Sequence, residues 1–260
     1  MKEKNMTPLN VVLYWHMHQP EYRDLRNGEY HLPWTYLHTI KDYVDMVAHL
    51  EECEAARVVV NFAPVLLEQI DDYRQQLHDY LFQDKALRDP LLAALAGPVL
   101  PSDPDSRLKI MKECLRANEQ RLIARNKPFK KLAGMAKTAI NDPDVLMYHT
   151  DQFLSDLLIW YHISWIGETV RRNNPLVESL IKKAHQFTLH DRRQLIELTF
   201  DFLPFGQGID EQATVLVDGD DQLRGAALLQ RFPVLLGNRQ PPLGIQGQCV
   251  DAPKQARAPP

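Results

Sequence analysis

The composition of this 260-residue chain excludes several classes of protein. With 45% hydrophobic and 25% charged residues, the chain can bury a substantial core in one large domain or two small ones. A formal net charge of -4 provides no basic surface, so no nucleic-acid partner is expected. The three cysteines are widely spaced and form no CxxC pair, which indicates neither a disulfide framework nor a thiolate zinc site.

The amino-terminal segment carries a short apolar run that Trp15 and His16 interrupt. This run is too short for the hydrophobic region of a signal peptide or for a membrane span. We therefore expect a cytoplasmic protein with no membrane partner.

Apolar segments and helical patterns then alternate along the chain. Residues 9–15 (LNVVLYW) and 56–62 (ARVVVNF) are rich in β-formers and predict buried strands. An amphipathic helix is predicted from Thr35, its expected N-cap, and another from Pro64, where a missing N–H costs least. Strands and helices in this order predict parallel strands joined by crossovers, and therefore an α/β fold.

Polar groups follow both predicted strands. His16, His18 and Gln19 follow the first strand, and Asn61 stands near the end of the second. Parallel sheets carry their functional groups at the carboxyl ends of the strands, and side chains at i and i+2 point to the same side. His16 and His18 can therefore converge on one ligand, either a metal ion with further ligands elsewhere or a sugar. The alternative is that the histidines and Asn61 only stabilise the strand ends and the turn.

Aromatic residues crowd the same part of the sequence. Flat rings with polar edges can stack on a sugar and hydrogen-bond to it. Trp34 is the expected stacking surface. We interpret Tyr14 and Tyr36 as core residues. From residue 84 to about residue 203 the pattern is mainly helical, which predicts a helical insertion covering a sheet.

Several stretches closely resemble one enzyme family. The segments are WHMHQPEY, LPWTYLHTIKDYVDM, VVVNFAPVLLEQI, DVLMYHTDQFLSDLLIWYHISWIGETVRR and FTLHDRRQLIELTFDFL. They resemble the N-terminal part of glycoside hydrolase family 57, the amylases, glucanotransferases and branching enzymes that act on α-glucans. The resemblance covers about residues 9–203, and His18, Gln19 and Pro20 match the first signature of that family.

The resemblance implies part of an incomplete (β/α)7 barrel that hydrolyses or transfers α-glucosidic bonds with retention of configuration. Such chemistry uses a nucleophilic and an acid/base carboxyl group about 5 Å apart, and no metal or cofactor. His18 would line the subsite of the sugar being cleaved, with His16 beside it, and both would donate hydrogen bonds. The complete expected substrate-binding set for an α-glucan or maltooligosaccharide is His16, His18, Gln19, Trp34 and Asn61.

The resemblance ends before the catalytic residues. The family's nucleophilic glutamate and acid/base aspartate stand in later motifs that this chain lacks. Residues 204–260 hold seven of the eleven glycines and neither Trp nor Tyr, so we expect a poorly ordered tail. The hypothesis is a change of reading frame near Leu203, and the alternative is a natural divergent tail. Residues 1–203 would then be the N-terminal part of the barrel, lacking the C-terminal strands.

Whether the chain is itself an enzyme therefore stays open at this point. The main hypothesis is a truncated family 57 protein. The alternatives are a glucan-binding protein without catalysis and a metal-dependent hydrolase that uses His16 and His18. An incomplete barrel would also expose an unpaired strand, which predicts self-association.

Overall fold

Two parallel strands form the sheet in the part of the chain that the computed structural model describes, residues 13–52 and 58–203. These strands are β1 (Leu13–Met17) and β2 (Val58–Phe62). The predicted parallel pairing is confirmed, with His16 opposite Asn61. β1 continues beyond Trp15, so His16 lies within the strand and not after it. The remaining residues of the predicted strands lie outside the described ranges.

The crossover between the strands is helical, as predicted. It consists of α1 (Trp34–His38), a π-helical segment (Thr39–Tyr43) and α2 (Val44–Glu51). The prediction of Thr35 as N-cap is wrong, because α1 already begins at Trp34. The Thr35 hydroxyl is buried and donates to Gln69 Oε1 at 3.2 Å instead of capping the helix.

The second predicted helix is α3 (Pro64–Gln83), which begins at the expected proline. Seven further α-helices follow in the described residues. They are α4 (Pro90–Ala96), α5 (Pro104–Cys114), α6 (Lys127–Asn141), α7 (Asp151–Ser164), α8 (Glu168–Asn173), α9 (Pro175–Lys183) and α10 (Leu189–Phe202). A π-helical segment (Glu119–Ile123) precedes α6, and a 3-10 segment (Pro143–Tyr148) follows it.

Helix α7 is the centre of the helical region. It packs against α4, α5, α6 and α10, and every residue from Phe153 to Ser164 is buried. A helix that is mainly apolar on all sides is stable only when it is surrounded in this way. Its one histidine, His162, is fully buried and hydrogen-bonded.

The crossover and the helical region are joined by a side-chain cap. The Asp45 carboxylate of α2 accepts the backbone N–H groups of Glu168 at 2.7 Å and Thr169 at 2.9 Å, at the start of α8. Gly167 comes just before these residues, and its N–H donates to the Ile40 carbonyl at 3.0 Å. A Cβ on Gly167 would lie 2.8 Å from Asp45 Oδ1, so the cap needs glycine at this position.

A hydrophobic core runs through the described residues, from the strands into the helical region. Met17, Val60 and Phe62 belong to it, together with the apolar faces of the helices. Tyr36 is a core residue as predicted, but the interpretation of Tyr14 as core is wrong. Tyr14 is 58% exposed and its neighbour Leu13 is 51% exposed, because the sheet as described has nothing packed over them.

The described part is thus a mostly helical α/β structure with two parallel strands. In these same ranges no helix is long and apolar enough to cross a membrane. The predicted tail, residues 204–260, lies outside the described residues.

Candidate functional site

The carboxyl ends of β1 and β2 bring two predicted site residues into contact. His16 Nδ1 lies 2.6 Å from Asn61 Oδ1. Since an amide oxygen only accepts hydrogen bonds, Nδ1 carries the proton in this contact. A neutral His16 ring therefore presents Nε2 as an acceptor, and the residue is exposed whereas Asn61 is buried.

His18 stands beside His16 with its ring nearly parallel. The two ring centroids are 5.8 Å apart and the planes differ by 12°. Met17 between them is buried, whereas both histidines are exposed, which is the alternation of an extended segment. The two side chains therefore lie on the same side of the segment, as the i, i+2 spacing predicts, and both imidazoles are exposed. That they converge on one ligand stays a prediction.

Gln19 is half-buried between two tyrosines. Its Oε1 accepts a hydrogen bond from the Tyr22 hydroxyl at 2.9 Å, and its Nε2 donates a long one of 3.4 Å to Tyr43. Burial raises the pKa of both tyrosines, so both remain protonated donors at neutral pH. The amide is thereby held in one orientation, with remaining hydrogen-bonding capacity for a polar ligand.

Glu21, the acidic residue that follows His18, Gln19 and Pro20, forms an ion pair. Its carboxylate receives the Arg23 guanidinium in a bidentate contact, with Nε at 2.8 Å and Nη2 at 2.6 Å. This contact with Arg23 lowers the pKa of Glu21. A paired, ionised carboxylate does not act as a proton donor, so Glu21 lacks the property of a general acid.

Trp34 has a different environment from the other predicted site residues. Its ring packs against Trp165, with centroids 5.6 Å apart, and the Arg116 guanidinium lies over it at 5.7 Å. His38 completes this group at 6.5 Å. The ring contacts of Trp34 are thus with α1 and the helical region, whereas His16, His18 and Asn61 form one cluster at the strand ends. We call these three residues the strand-end cluster.

A metal site at the His-x-His pair would need at least one further ligand. Within the described ranges, no group of three or more His, Cys, Asp or Glu side chains is arranged to hold a metal ion. The metal hypothesis therefore has no third ligand in that part of the chain.

The sequence analysis did not identify Gln69, a residue that supports the backbone next to the His18–Gln19–Pro20 motif. Gln69 of α3 is completely buried and hydrogen-bonds to the backbone of Pro20 and Tyr22. A signal was available, because Gln69 falls on the helix face defined by Leu66, Ile70 and Tyr73, where an apolar residue is normal. A polar residue on such a face must find partners inside the fold.

The described residues form a mostly helical α/β structure with a polar cluster at the carboxyl ends of two parallel strands, which is the edge where parallel sheets generally bind ligands. The model of one family, glycosyl hydrolase family 57, matches residues 12–200 of the chain. Because the match covers well over half of the chain, the protein belongs to glycosyl hydrolase family 57. Comparisons with curated proteins and with solved structures gave no match.

Proposed function

We propose that this chain binds an α-glucan at the strand-end cluster and corresponds to the N-terminal part of a retaining family 57 enzyme with an incomplete (β/α)7 barrel. Membership of the family implies a carbohydrate substrate. The observation that carries the proposal is the His16–Asn61 hydrogen bond of 2.6 Å, with the His18 ring stacked parallel beside it. This arrangement orients the exposed His16 imidazole and places the exposed His18 imidazole beside it, which suits recognition of sugar hydroxyls.

Each proposed contact follows from the hydrogen-bonding state of the side chain. A neutral His16 accepts a hydrogen bond from a sugar hydroxyl at Nε2, because Nδ1 is used by Asn61. This differs from the expectation that both histidines donate. His18 supplies the second imidazole, and Gln19 offers an amide that both donates and accepts. Trp34 stays in the proposed set as a stacking surface, at a position where Arg116 already covers part of the ring.

The proposal does not assign catalysis to the residues of this chain. Retaining cleavage requires two suitably spaced carboxyl groups, and the motifs that carry them in the family are missing from the sequence. Glu21, the acidic residue nearest the motif, is engaged by Arg23. We propose that the chain holds part of a glucan subsite and that the catalytic pair belongs to later barrel strands, which a changed reading frame near Leu203 would remove.

The experiment uses the full chain and maltopentaose. Saturable binding in isothermal titration calorimetry, without release of reducing sugar, is the expected result. Absence of binding at millimolar maltopentaose would contradict the proposal. Stoichiometric zinc binding, with a hydrolytic activity that chelation abolishes, would instead support the metal-dependent alternative.

The reading frame is tested separately from binding. The coding DNA is resequenced from the codon for Gln194 onward and translated in all three forward frames. A second frame that restores motifs with a glutamate and an aspartate would support a disabled or misread glucan enzyme. Confirmation of the present frame, with no continuation elsewhere, would contradict the frame change and leave glucan binding as the function to test.

A further inference from the structure

Gln69 uses all of its hydrogen-bonding capacity on one small region of the fold. Its Nε2 donates to the carbonyls of Pro20 at 2.9 Å and Val65 at 3.1 Å. Its Oε1 accepts the N–H of Tyr22 at 3.1 Å and the hydroxyl of Thr35 at 3.2 Å. The residue is 0% exposed, so its own amide has no access to water and depends on these protein partners for its hydrogen bonds.

Two of the four partners belong to the segment that directly follows the strand-end cluster. The Pro20 carbonyl and the Tyr22 N–H are the backbone groups that flank Glu21, and Gln69 engages both with a single amide. A side-chain amide bound in this way acts as a short strand-like pairing partner for the loop. The backbone is therefore hydrogen-bonded to α3 two residues after His18.

The same loop is closed on its other side by its own backbone. The His31 N–H donates to the Tyr22 carbonyl at 2.9 Å, and the Asp24 N–H donates to the Glu29 carbonyl at 2.8 Å. These bonds give the loop its internal shape but do not attach it to the rest of the molecule. Elsewhere in the loop, the Tyr30 hydroxyl donates to Asp72 of α3 at 2.9 Å and Arg23 lies 3.7 Å from Glu68 of α3. Next to His18 and Gln19, the backbone is attached to α3 through Gln69.

From this geometry we propose that Gln69 is a positioning residue for ligand binding, which sets the place and orientation of His18 and Gln19 by anchoring the backbone of Pro20 and Tyr22. The inference rests on the proposed glucan site. It predicts that Gln69 affects the affinity of the folded protein for the ligand and not only the stability of the fold.

A matched control lies two helical turns further along α3. Gln76 is also buried, at 5% exposure, and is also satisfied, donating to Asp72 at 2.8 Å and accepting the Arg88 N–H at 2.8 Å. None of these partners belongs to the segment that carries His18 and Gln19. Replacing either glutamine removes a buried amide, but only Gln69 hydrogen-bonds directly to the backbone next to His18 and Gln19, whereas Gln76 shares Asp72 with the more distant Tyr30.

The test compares Gln69→Met and Gln76→Met in the full chain. Methionine keeps the length and unbranched shape of glutamine and removes its hydrogen bonds. Both variants are expected to unfold at lower urea concentration than the unmodified chain. Amide exchange of Tyr22 is expected to be about tenfold faster in Gln69→Met, relative to the His31 amide, and unchanged in Gln76→Met.

Binding separates positioning from a purely structural role. The dissociation constant for maltopentaose, measured where all chains are folded, is expected to rise about tenfold in Gln69→Met and to stay unchanged in Gln76→Met. Equal constants in the two variants would overturn the proposal. If Gln69→Met does not fold, Gln69→Asn replaces it, because asparagine keeps a polar amide but is one methylene shorter and cannot engage Pro20 and Tyr22 together.

The experiment also distinguishes this inference from the proposed function. If the unmodified chain does not bind maltopentaose, the proposed function fails, and the anchoring is decided by Tyr22 exchange and by the NMR signals of the His18 ring. A change in the chemical shifts of the His18 ring in Gln69→Met, and not in Gln76→Met, supports anchoring by Gln69. Unchanged His18 signals together with unchanged Tyr22 exchange would overturn it.

Discussion

Tyr36 and His162 are joined by a buried hydrogen bond of 3.0 Å between the tyrosine hydroxyl and Nε2. The other ring nitrogen, Nδ1, lies 2.8 Å from the Leu158 carbonyl and must donate to it. The tyrosine hydroxyl therefore donates to Nε2, and the imidazole is neutral. Burial lowers the pKa of His162 to about 4 from an ordinary value of 6.5.

A second buried group titrates over the same range with the opposite effect. Asp89 caps α4, accepts the Tyr73 hydroxyl at 2.7 Å, and is 1% exposed. Burial raises the pKa of Asp89 to about 6 from 3.8. On acidification below pH 6.5 the unfolded chain protonates His162 first, which destabilises the fold, whereas the folded chain takes up a proton on Asp89, which stabilises it.

The effects of Asp89 and His162 on the pH dependence of stability oppose each other. We therefore expect each effect to become measurable when the other residue is replaced. Asp89→Asn removes the stabilising contribution, and the fall in unfolding free energy from pH 7 to pH 4.5 should exceed that of the unmodified chain by about 2 kcal/mol. His162→Gln should lessen that fall by a similar amount. Urea denaturation at the two pH values measures both. Parallel pH profiles in all three chains would show that neither group titrates as described.

Removal of the His18 side chain tests the proposed site most directly. His18 is exposed, so His18→Ala should leave the unfolding free energy nearly unchanged. It should weaken maltopentaose binding by about 1–3 kcal/mol, since one hydrogen bond to the sugar is lost. His31→Ala, which removes another exposed histidine of the same loop region, is the control and should bind like the unmodified chain. Unchanged affinity in His18→Ala would remove this residue from the site.

The exposed start of β1 predicts self-association. Leu13 and Tyr14 are 51% and 58% exposed on a two-stranded parallel sheet, where an apolar surface favours contact with a second copy. Sedimentation velocity should therefore show oligomers of the unmodified chain, and Tyr14→Lys should reduce them. Tyr148→Lys removes a tyrosine that is 79% exposed in the helical region and should not. A monodisperse monomer at high concentration would contradict the prediction.

Alanine substitution is expected to change the free energy of unfolding in opposite directions at two glycines. Gly167→Ala places a Cβ 2.8 Å from Asp45 Oδ1 and 3.0 Å from the Lys41 carbonyl, and should destabilise the fold by about 1–3 kcal/mol. Gly134→Ala lies within α6, where its new Cβ meets nothing within 4 Å beyond the adjacent residues and backbone of its own helix, and should stabilise by about 0.5–1 kcal/mol. Equilibrium urea unfolding measures both. A stable Gly167→Ala chain would mean that the Asp45 cap does not hold α8 closely.

Sequence patterns predicted elements whose signals are local. Pro64 marks the start of α3, and the apolar run before it marks β2, because turn chemistry and side-chain periodicity act over a few residues. For the same reason, the spacing of His16 and His18 predicted that their side chains lie on the same side of the segment. Thr35 shows the limit of such signals. It has a favourable type for an N-cap, but its hydroxyl bonds to Gln69 on another helix.

The sequence by itself determined the family, the parallel α/β arrangement at the amino-terminal end and the polar residues at the strand ends. Tertiary structure alone decided that Asn61 orients His16, that Gln69 holds the loop after His18, and that Trp34 packs with Trp165 and Arg116. These contacts join residues far apart in the sequence. They depend on which buried polar groups must hydrogen-bond to one another once the helices pack. The periodicity of apolar residues in the sequence does not indicate those pairings.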